Sequence, residues 1–185
     1  FAITPTSITL AAGALVDASL PLAFEFDALG KAKETTDSGW ITTATYVDDG
    51  LKPNRKYTYR FRARDDAVLP NTTRWSDPIE VRTHALTPLA PHVSKLKSTS
   101  CTLRVVADGN PSSVLYAVRN VTTGEWLAPN GSVSGGPVFA KRTKWKAAKL
   151  KGLTPATTYE LRVKALNAAS VETAFGDALF VTTAP

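Results

Sequence analysis

Few residues in this chain could do catalytic chemistry. It contains two histidines, His84 and His92, and one cysteine, Cys101. A catalytic nucleophile needs a base beside it, and a structural zinc site needs four ligands, so these three residues match neither pattern. Cys101 lies in an alternating apolar segment, which predicts a buried, inert thiol; the alternative is a reactive or intermolecular thiol. We therefore predict no catalytic, cofactor-binding or metal-binding residues and no enzymatic activity.

Positive charge is concentrated in the second half of the chain. Residues 93–185 carry 12 Lys and Arg against 5 Asp and Glu, a net charge of +7, whereas residues 1–92 have a net charge of −1. The candidate anion-binding or partner-binding residues are Arg142, Lys144, Lys146, Lys149 and Lys151. In a β-strand the first three would share the outer face while Trp145 points inward, and a bulge near Ala147 would move the last two to the other face.

This basic segment has two interpretations. It could attract an anionic polysaccharide, a membrane surface or an acidic protein through the sum of its charges. Alternatively, it is a solvated strand face whose lysines keep a sheet edge from pairing with neighbours. Nucleic acid is not expected as a partner, because no exposed aromatic residues are evident between the basic ones.

The elements that must position these residues occur twice. Gly50-Leu51-Lys52-Pro53, followed by Tyr57, recurs 102 residues later as Gly152-Leu153-Thr154-Pro155, followed by Tyr159. Residues 6–10 correspond to 99–103, and residues 81–83 to 181–183. A repeat of this length predicts two copies of one domain. We predict a first domain over 1–86, a short linker with two prolines over 87–92, and a second domain over 93–185.

The second copy contains an insertion in mid-domain. Residues 128–138 read Ala-Pro-Asn-Gly-Ser-Val-Ser-Gly-Gly-Pro-Val. This composition is typical of a flexible loop, which could contact a partner or serve only as a connection. Trp126 beside it could stack on a sugar ring, although a core or half-buried tryptophan is favoured.

Alternating patterns predict an all-β fold. In residues 57–64, Tyr57, Tyr59 and Phe61 share one face while arginines occupy the other, as in a half-buried strand. Turn signals separate the remaining candidates. The predicted strands are 7–12, 22–27, 40–47, 57–64 and 79–83 in the first copy, and 100–106, 115–120, 126–127, 144–150, 159–165 and 178–182 in the second. Each copy thus predicts a β-sandwich.

Before one strand of each copy stands the pattern Leu-x-Pro-x-x-x-Tyr, which is typical of a tyrosine corner. The structural signature residues are Leu51, Pro53, Tyr57, Leu153, Pro155 and Tyr159. With Ala63, Thr83, Ala165 and Thr183, they make both copies resemble fibronectin type III domains over nearly the whole chain. The amino-acid sequence of the first copy is similar to that of modules in large secreted or surface proteins of environmental bacteria, such as planctomycetes.

The resemblance implies two consecutive immunoglobulin-like sandwiches with one departure. The family's usual core tryptophan is replaced by Ala12 and Val105, so we expect the cores to be filled by Trp40 and by Trp126 or Trp145.

The implied function is a non-catalytic spacer in a larger extracellular or cell-surface protein, with neighbouring domains of the same polypeptide as partners. The alternative is an adhesion or ligand-binding module that uses the basic segment and the inserted loop. The chain has no methionine and no run of 18 apolar residues, so we expect a piece of a longer protein and no membrane span.

Overall fold

A computed structural model describes residues 2–13, 21–30 and 32–185. The chain divides into two compact units, Phe1–His84 and Ala85–Pro185. Each unit consists of antiparallel sheets around its own apolar core, which confirms the predicted all-β class. In the described part of the chain, no helix is long and apolar enough to cross a membrane.

Within its described residues, the first unit contains two sheets. Its strands are β1 (Ala2–Ile3), β2 (Ile8–Ala11), β3 (Ala23–Leu29), β4 (Trp40–Ile41), β5 (Thr45–Asp48), β6 (Lys56–Arg64) and β7 (Ile79–Arg82). They form a sheet of order β1-β2-β5 and a sheet of order β4-β3-β6-β7. The core lies between them, because Ile8 and Leu10 of the one sheet and Phe26 and Tyr59 of the other belong to one buried cluster.

The second unit repeats this plan with additions. Its strands are β8 (His92–Ser94), β9 (Ser100–Arg104), β10 (Leu115–Asn120), β11 (Trp126–Leu127), β12 (Val133–Ser134), β13 (Ala140–Lys141), β14 (Ala148–Lys151), β15 (Thr158–Leu166) and β16 (Leu179–Thr182), with a 3₁₀ helix over Arg142–Trp145. One sheet has the order β14-β9-β8. The other has the order β12-β11-β10-β15-β16, and β13 also pairs with β10.

The repeated Leu-x-Pro-x-x-x-Tyr pattern forms the same local structure twice. The hydroxyl of Tyr57 accepts the N–H of Lys52 at 2.9 Å, and that of Tyr159 accepts the N–H of Thr154 at 2.8 Å. Leu51 is buried in the first core, and Leu153 packs against the second. These bonds fix the chain where it crosses into β6 and β15.

Two predicted strands are wrong in extent. Residues 40–47 are not one strand, because β4 and β5 belong to different sheets. Residues 42–44 bend between them, and the Thr43 hydroxyl donates to the carbonyl of Thr45 at 3.0 Å. Residues 144–150 are also not one strand, because the 3₁₀ helix precedes β14.

The tryptophans fill the two cores differently from the expectation. Trp145 is fully buried in the second unit, and its indole N–H donates to the carbonyl of Tyr116 at 3.0 Å. The prediction that Trp145 points inward is thus confirmed. Trp40 is only half-buried, and the first core is filled instead by smaller rings, Phe24, Phe26 and Tyr59 among them.

The expected linker over residues 87–92 is built into the second unit. Ala85 lies in the second core, and the N–H of Leu86 donates to Oδ1 of Asn110 at 2.8 Å. The side-chain amide of Asn110 in turn donates to the carbonyl of Leu86 at 2.9 Å. Pro88 is buried against Gly176, and His92 already belongs to β8. The two prolines favour the extended backbone that this packing requires.

Candidate functional site

The predicted basic segment is divided between two kinds of backbone. Arg142 and Lys144 lie in the 3₁₀ helix, and Lys146 caps its C-terminal end. These three cations therefore do not share the face of a strand, and this part of the prediction is wrong. The physical reason is the indole of Trp145, which the helical turn directs into the core.

Lys149 and Lys151 lie on β14, opposite Thr102 and Ser100 of β9. They border a groove of about 250 Å³ whose other rim carries Lys95 and Lys97, from the turn after β8. We call this the four-lysine groove. Ser100, Cys101, Thr102 and Leu150 complete its lining.

The groove is strongly cationic. All four lysines are exposed, and none of them takes part in the ion pairs found in the described part of the chain. No acidic residue is among the described residues that line it. Charges of one sign that line a single groove add their attraction for an anion, and salt screens that attraction over a distance of about 8 Å at physiological ionic strength. The arrangement can bind a polyanion electrostatically.

The other predicted cations lie elsewhere. Arg142 and Lys141 border a separate cleft of about 290 Å³ that also contains Asn110 and Tyr116. Lys144 and Lys146 are exposed and line neither cleft. Of the five predicted cations, the structure therefore brings together Lys149 and Lys151.

Sequence reasoning missed Lys95 and Lys97 because they lie more than 50 positions from Lys149. Only the pairing of β8 and β14 on either side of β9 brings them close. The one local signal was the presence of two lysines, Lys95 and Lys97, within three residues of each other.

The inserted segment 128–138 contacts the strand that carries two of these lysines. It begins as a hairpin in which Trp126 pairs with Ser134 and Leu127 with Val133. At the tip, the backbone of Gly131 packs directly on the carbonyl of Lys149. The segment expected to be a loop therefore includes the tip and the second strand of a hairpin, and this tip lies against β14.

Solved structures with a similar fold exist for this two-unit architecture. A two-domain fibronectin type III segment of chicken tenascin matches with a TM-score of 0.52 at 13% identity, covering 99% of this chain and 95% of that one. The fold is that of two fibronectin type III domains. The FN1–FN3 domains of chicken contactin match with a TM-score of 0.39 at 16% identity, covering 98% of this chain and 61% of that one. No family model matches the sequence.

The first domain carries a ladder of arginines and tryptophans on the β4-β3-β6-β7 sheet. The guanidinium of Arg60 lies 4.2 Å from the ring centre of Trp75, and that of Arg62 lies 4.4 Å from the same ring. Arg64 lies 4.4 Å from the ring of Trp40. Asp27 and Glu25 of β3 pair with Arg60 and Arg62. Arg60 and Arg62 are therefore both ion-paired and stacked, and Arg64 is stacked, so these contacts stabilise the sheet.

The second domain has a corresponding cluster of cationic side chains and aromatic rings around Trp126. Trp126 stacks on Phe175 with ring centres 5.8 Å apart, and the ammonium of Lys164 lies 4.6 Å from the indole. Glu172 pairs with Lys164. Arg119 also approaches Trp126, at 5.6 Å, and its buried Nε has no hydrogen-bond partner. Trp126 is thus half-buried, as the sequence favoured, and its ring contacts Phe175, Lys164 and Arg119.

The remaining reactive groups are dispersed. Cys101 is 4% exposed, and burial raises the pKa of its thiol. The backbone of His84 bonds to Thr4 and Asn54, whereas His92 lies on β8. Among the described residues, no group of three or more His, Cys, Asp or Glu side chains could hold a metal ion.

Proposed function

We propose that the chain is a non-catalytic structural segment of a larger extracellular or cell-surface protein. Its two fibronectin domains would position neighbouring modules of the same polypeptide, in a secreted or surface protein of an environmental bacterium such as a planctomycete. One observation supports this proposal: the residues that the two copies share stabilise the fold of each domain. Tyr57 and Tyr159 hold the two corners, and Thr83 and Thr183 are buried at the domain ends, where their hydroxyls bond to Lys52 and Thr154.

A second candidate function is adhesion to an anionic polysaccharide through the second domain. The observation that favours it is the convergence of Lys95, Lys97, Lys149 and Lys151 on one groove. The fold does not require this cluster, because the first domain has the same fold but other residues at the corresponding positions. Thr9 and Val47, for example, pair in the first domain where Thr102 and Lys149 pair in the second.

Salt-dependent retention on heparin-agarose distinguishes the two functions. One variant replaces the groove lysines by glutamine, which removes charge and keeps much of each stem. Its substitutions are Lys95→Gln, Lys97→Gln, Lys149→Gln and Lys151→Gln. The matched control removes the same charge from the same domain outside the groove. Its substitutions are Lys141→Gln, Arg142→Gln, Lys144→Gln and Lys146→Gln.

An adhesion module should lose retention in the groove variant and keep most of it in the control. With about 0.5 kcal/mol for each exposed ion pair, removing four contacts weakens binding roughly thirtyfold. Equal elution of the two variants would show that retention follows net charge alone, which supports the pure spacer. Far-UV circular dichroism and thermal unfolding establish that both variants are folded.

A further inference from the structure

Arg119 of β10 has no counter-charge within the described part of the chain. It takes part in none of the ion pairs found there, and its buried Nε has no hydrogen-bond partner. Directly opposite it in the strand register lies a second cation, Arg162 of β15. Like charges opposite each other on two strands destabilise a sheet, and a buried donor without an acceptor costs further free energy. Both effects act against the stability of the second domain.

The first domain shows which group is missing beside Arg119. By the offset of 102 residues between the copies, Arg60 of β6 corresponds to Arg162 of β15. Opposite Arg60, β3 provides Asp27, and the two side chains form an ion pair at 2.7 Å. At the same position of the register, β10 provides Arg119. Where the first domain has a carboxylate of its own, the second therefore has a guanidinium that lacks one.

The neighbouring cations of this face already have their carboxylates. Arg162 pairs with Glu160, and Lys164 pairs with Glu172. The Nη atoms of Arg119 make no hydrogen bond to a described residue, and of its guanidinium only Nε is fully buried without a partner. The Nη atoms are therefore accessible, and the planar fork of an arginine can donate to both oxygens of one carboxylate.

The position of Arg119 favours a macromolecular ligand. It lies on the face of a sheet and lines neither the four-lysine groove nor the cleft beside Arg142. Small ligands prefer concave sites, whereas Arg and Trp are enriched among the residues that carry most of the binding energy of protein interfaces. The ring of Trp126 lies 5.6 Å from the guanidinium and limits its conformational freedom, so binding costs less side-chain entropy.

We propose that Arg119 is the centre of a protein-docking surface, where it binds an Asp or Glu side chain of a partner protein. The partner supplies the counter-charge that Asp27 supplies in the first domain. Val121, two positions further along the chain, is 37% exposed, so an apolar residue next to the partner's carboxylate also finds a contact. This surface is separate from the four-lysine groove and does not depend on adhesion to a polysaccharide.

The test is an NMR titration of the ¹⁵N-labelled chain at low salt, which follows the Nε–H signal of Arg119 and the backbone amide of Val121. The probe is acetyl-Leu-Glu-Leu-amide, and the comparison peptide acetyl-Leu-Gln-Leu-amide has nearly the same shape without the charge. We expect the glutamate peptide to shift both signals with a dissociation constant of about 10 mM or lower, and the glutamine peptide to bind at least about fivefold more weakly.

Matched variants assign the binding to Arg119. Arg119→Gln should weaken binding of the glutamate peptide at least about fivefold, measured at Val121. Arg104→Gln makes the same charge change on β9, in the other sheet of the same domain, and should bind normally. Equal affinities for the two peptides, or unchanged binding by Arg119→Gln, would overturn the proposal. Tighter binding of a hexaglucuronate at equal carboxylate concentration would also overturn it, because the ligand would then be a polysaccharide.

Thermal unfolding separates docking from a structural role. Arg119→Gln should leave Tm unchanged or raise it, because it removes the like charge and the unsatisfied donor. Arg162→Gln is the control on the opposite strand, and it should lower Tm because it removes the ion pair with Glu160. A larger decrease in Tm for Arg119→Gln than for Arg162→Gln would make Arg119 a structural residue and contradict the proposal.

Discussion

The carbonyl oxygen of Lys149 occupies the space that a Cβ on Gly131 would need. Gly131 also has a φ of +90°, in the region that side chains rarely adopt. The hairpin tip and the edge strand β14 can therefore approach each other only because residue 131 is glycine. Through this contact the insertion peculiar to the second domain supports the strand that carries two of the groove lysines.

Gly131→Ala should destabilise the second domain by roughly 1–3 kcal/mol, because both the backbone conformation and the close approach oppose a side chain. Gly135→Ala is the control in the same insertion, since a Cβ there meets nothing within 4 Å. Urea unfolding followed by circular dichroism measures both variants. Equal unfolding midpoints would contradict the structural role of Gly131.

The ladder of the first domain predicts coupling between Arg62 and Trp75. Their charge–ring contact at 4.4 Å should contribute about 0.5–1 kcal/mol, measured as the interaction term of a double-mutant cycle with Arg62→Ala and Trp75→Ala. Arg55, which stacks on Tyr57, serves for a control cycle with Trp75. We expect the control pair to be additive within about 0.5 kcal/mol. Additivity of both cycles would contradict the ladder.

The fold could be predicted because its signals are local. The two-residue period of β6 and β15 follows from one buried face, and the Leu-x-Pro-x-x-x-Tyr pattern lies within seven residues. In the basic segment, the two-residue alternation predicted the structure only in part. Its alternation near Trp145 matched a strand, but a single 3₁₀ turn can also bury one residue among exposed neighbours.

The candidate site was less predictable because it depends on strand order. Lys95 and Lys149 are separated by β9, and no local pattern shows that β8 and β14 flank that strand. Ala85 and Leu86 were likewise predicted to end the first domain. They belong to the second unit, where Ala85 lies in the core and Leu86 bonds to the side chain of Asn110, which is distant in sequence.

Trp145→Phe should lower the stability of the second domain by more than the smaller side-chain volume alone would, because it also removes a buried hydrogen bond. The indole N–H satisfies the buried carbonyl of Tyr116, and an unsatisfied buried acceptor costs about 1–3 kcal/mol. Trp126→Phe is a suitable comparison, since that ring is half-buried and no hydrogen bond from its indole to a described residue is found. Thermal unfolding should show the larger decrease in Tm for Trp145→Phe, and the reverse order would count against this assignment.

Cys101 should react with thiol reagents only when the second domain opens. Its side chain is 4% exposed, and burial raises the pKa of the thiol, so little thiolate is available at neutral pH. Labelling with a chromogenic disulfide reagent at pH 8 should be slow in buffer and fast in denaturing urea. Rapid labelling of the folded chain would instead favour the reactive-thiol alternative.

Asp65 should contribute to stability in a pH-dependent manner. Its carboxylate accepts the backbone N–H of Asn71 at 2.9 Å, the side-chain amide of Asn71 at 3.0 Å and the N–H of Ala67 at 3.3 Å, and these bonds lower its pKa. Because the folded pKa lies below the unfolded value of about 3.9, this stability is fully present above that value and is lost as pH falls through the folded pKa.

Asp65→Asn should therefore reduce stability at pH 7 and make its decrease below about pH 4 less steep. A smaller decrease in stability at low pH should remain in this variant, because the pKa of Glu34 is also lowered. Burial acts to raise that pKa, but hydrogen bonds from the backbone N–H of Glu34 and from the Tyr57 hydroxyl, together with the charge of Arg55, outweigh the effect of burial. Asp66→Asn makes the same charge change at the exposed neighbouring residue. Urea midpoints measured from pH 2 to pH 7 test the prediction, and parallel curves for the wild type and Asp65→Asn would refute it.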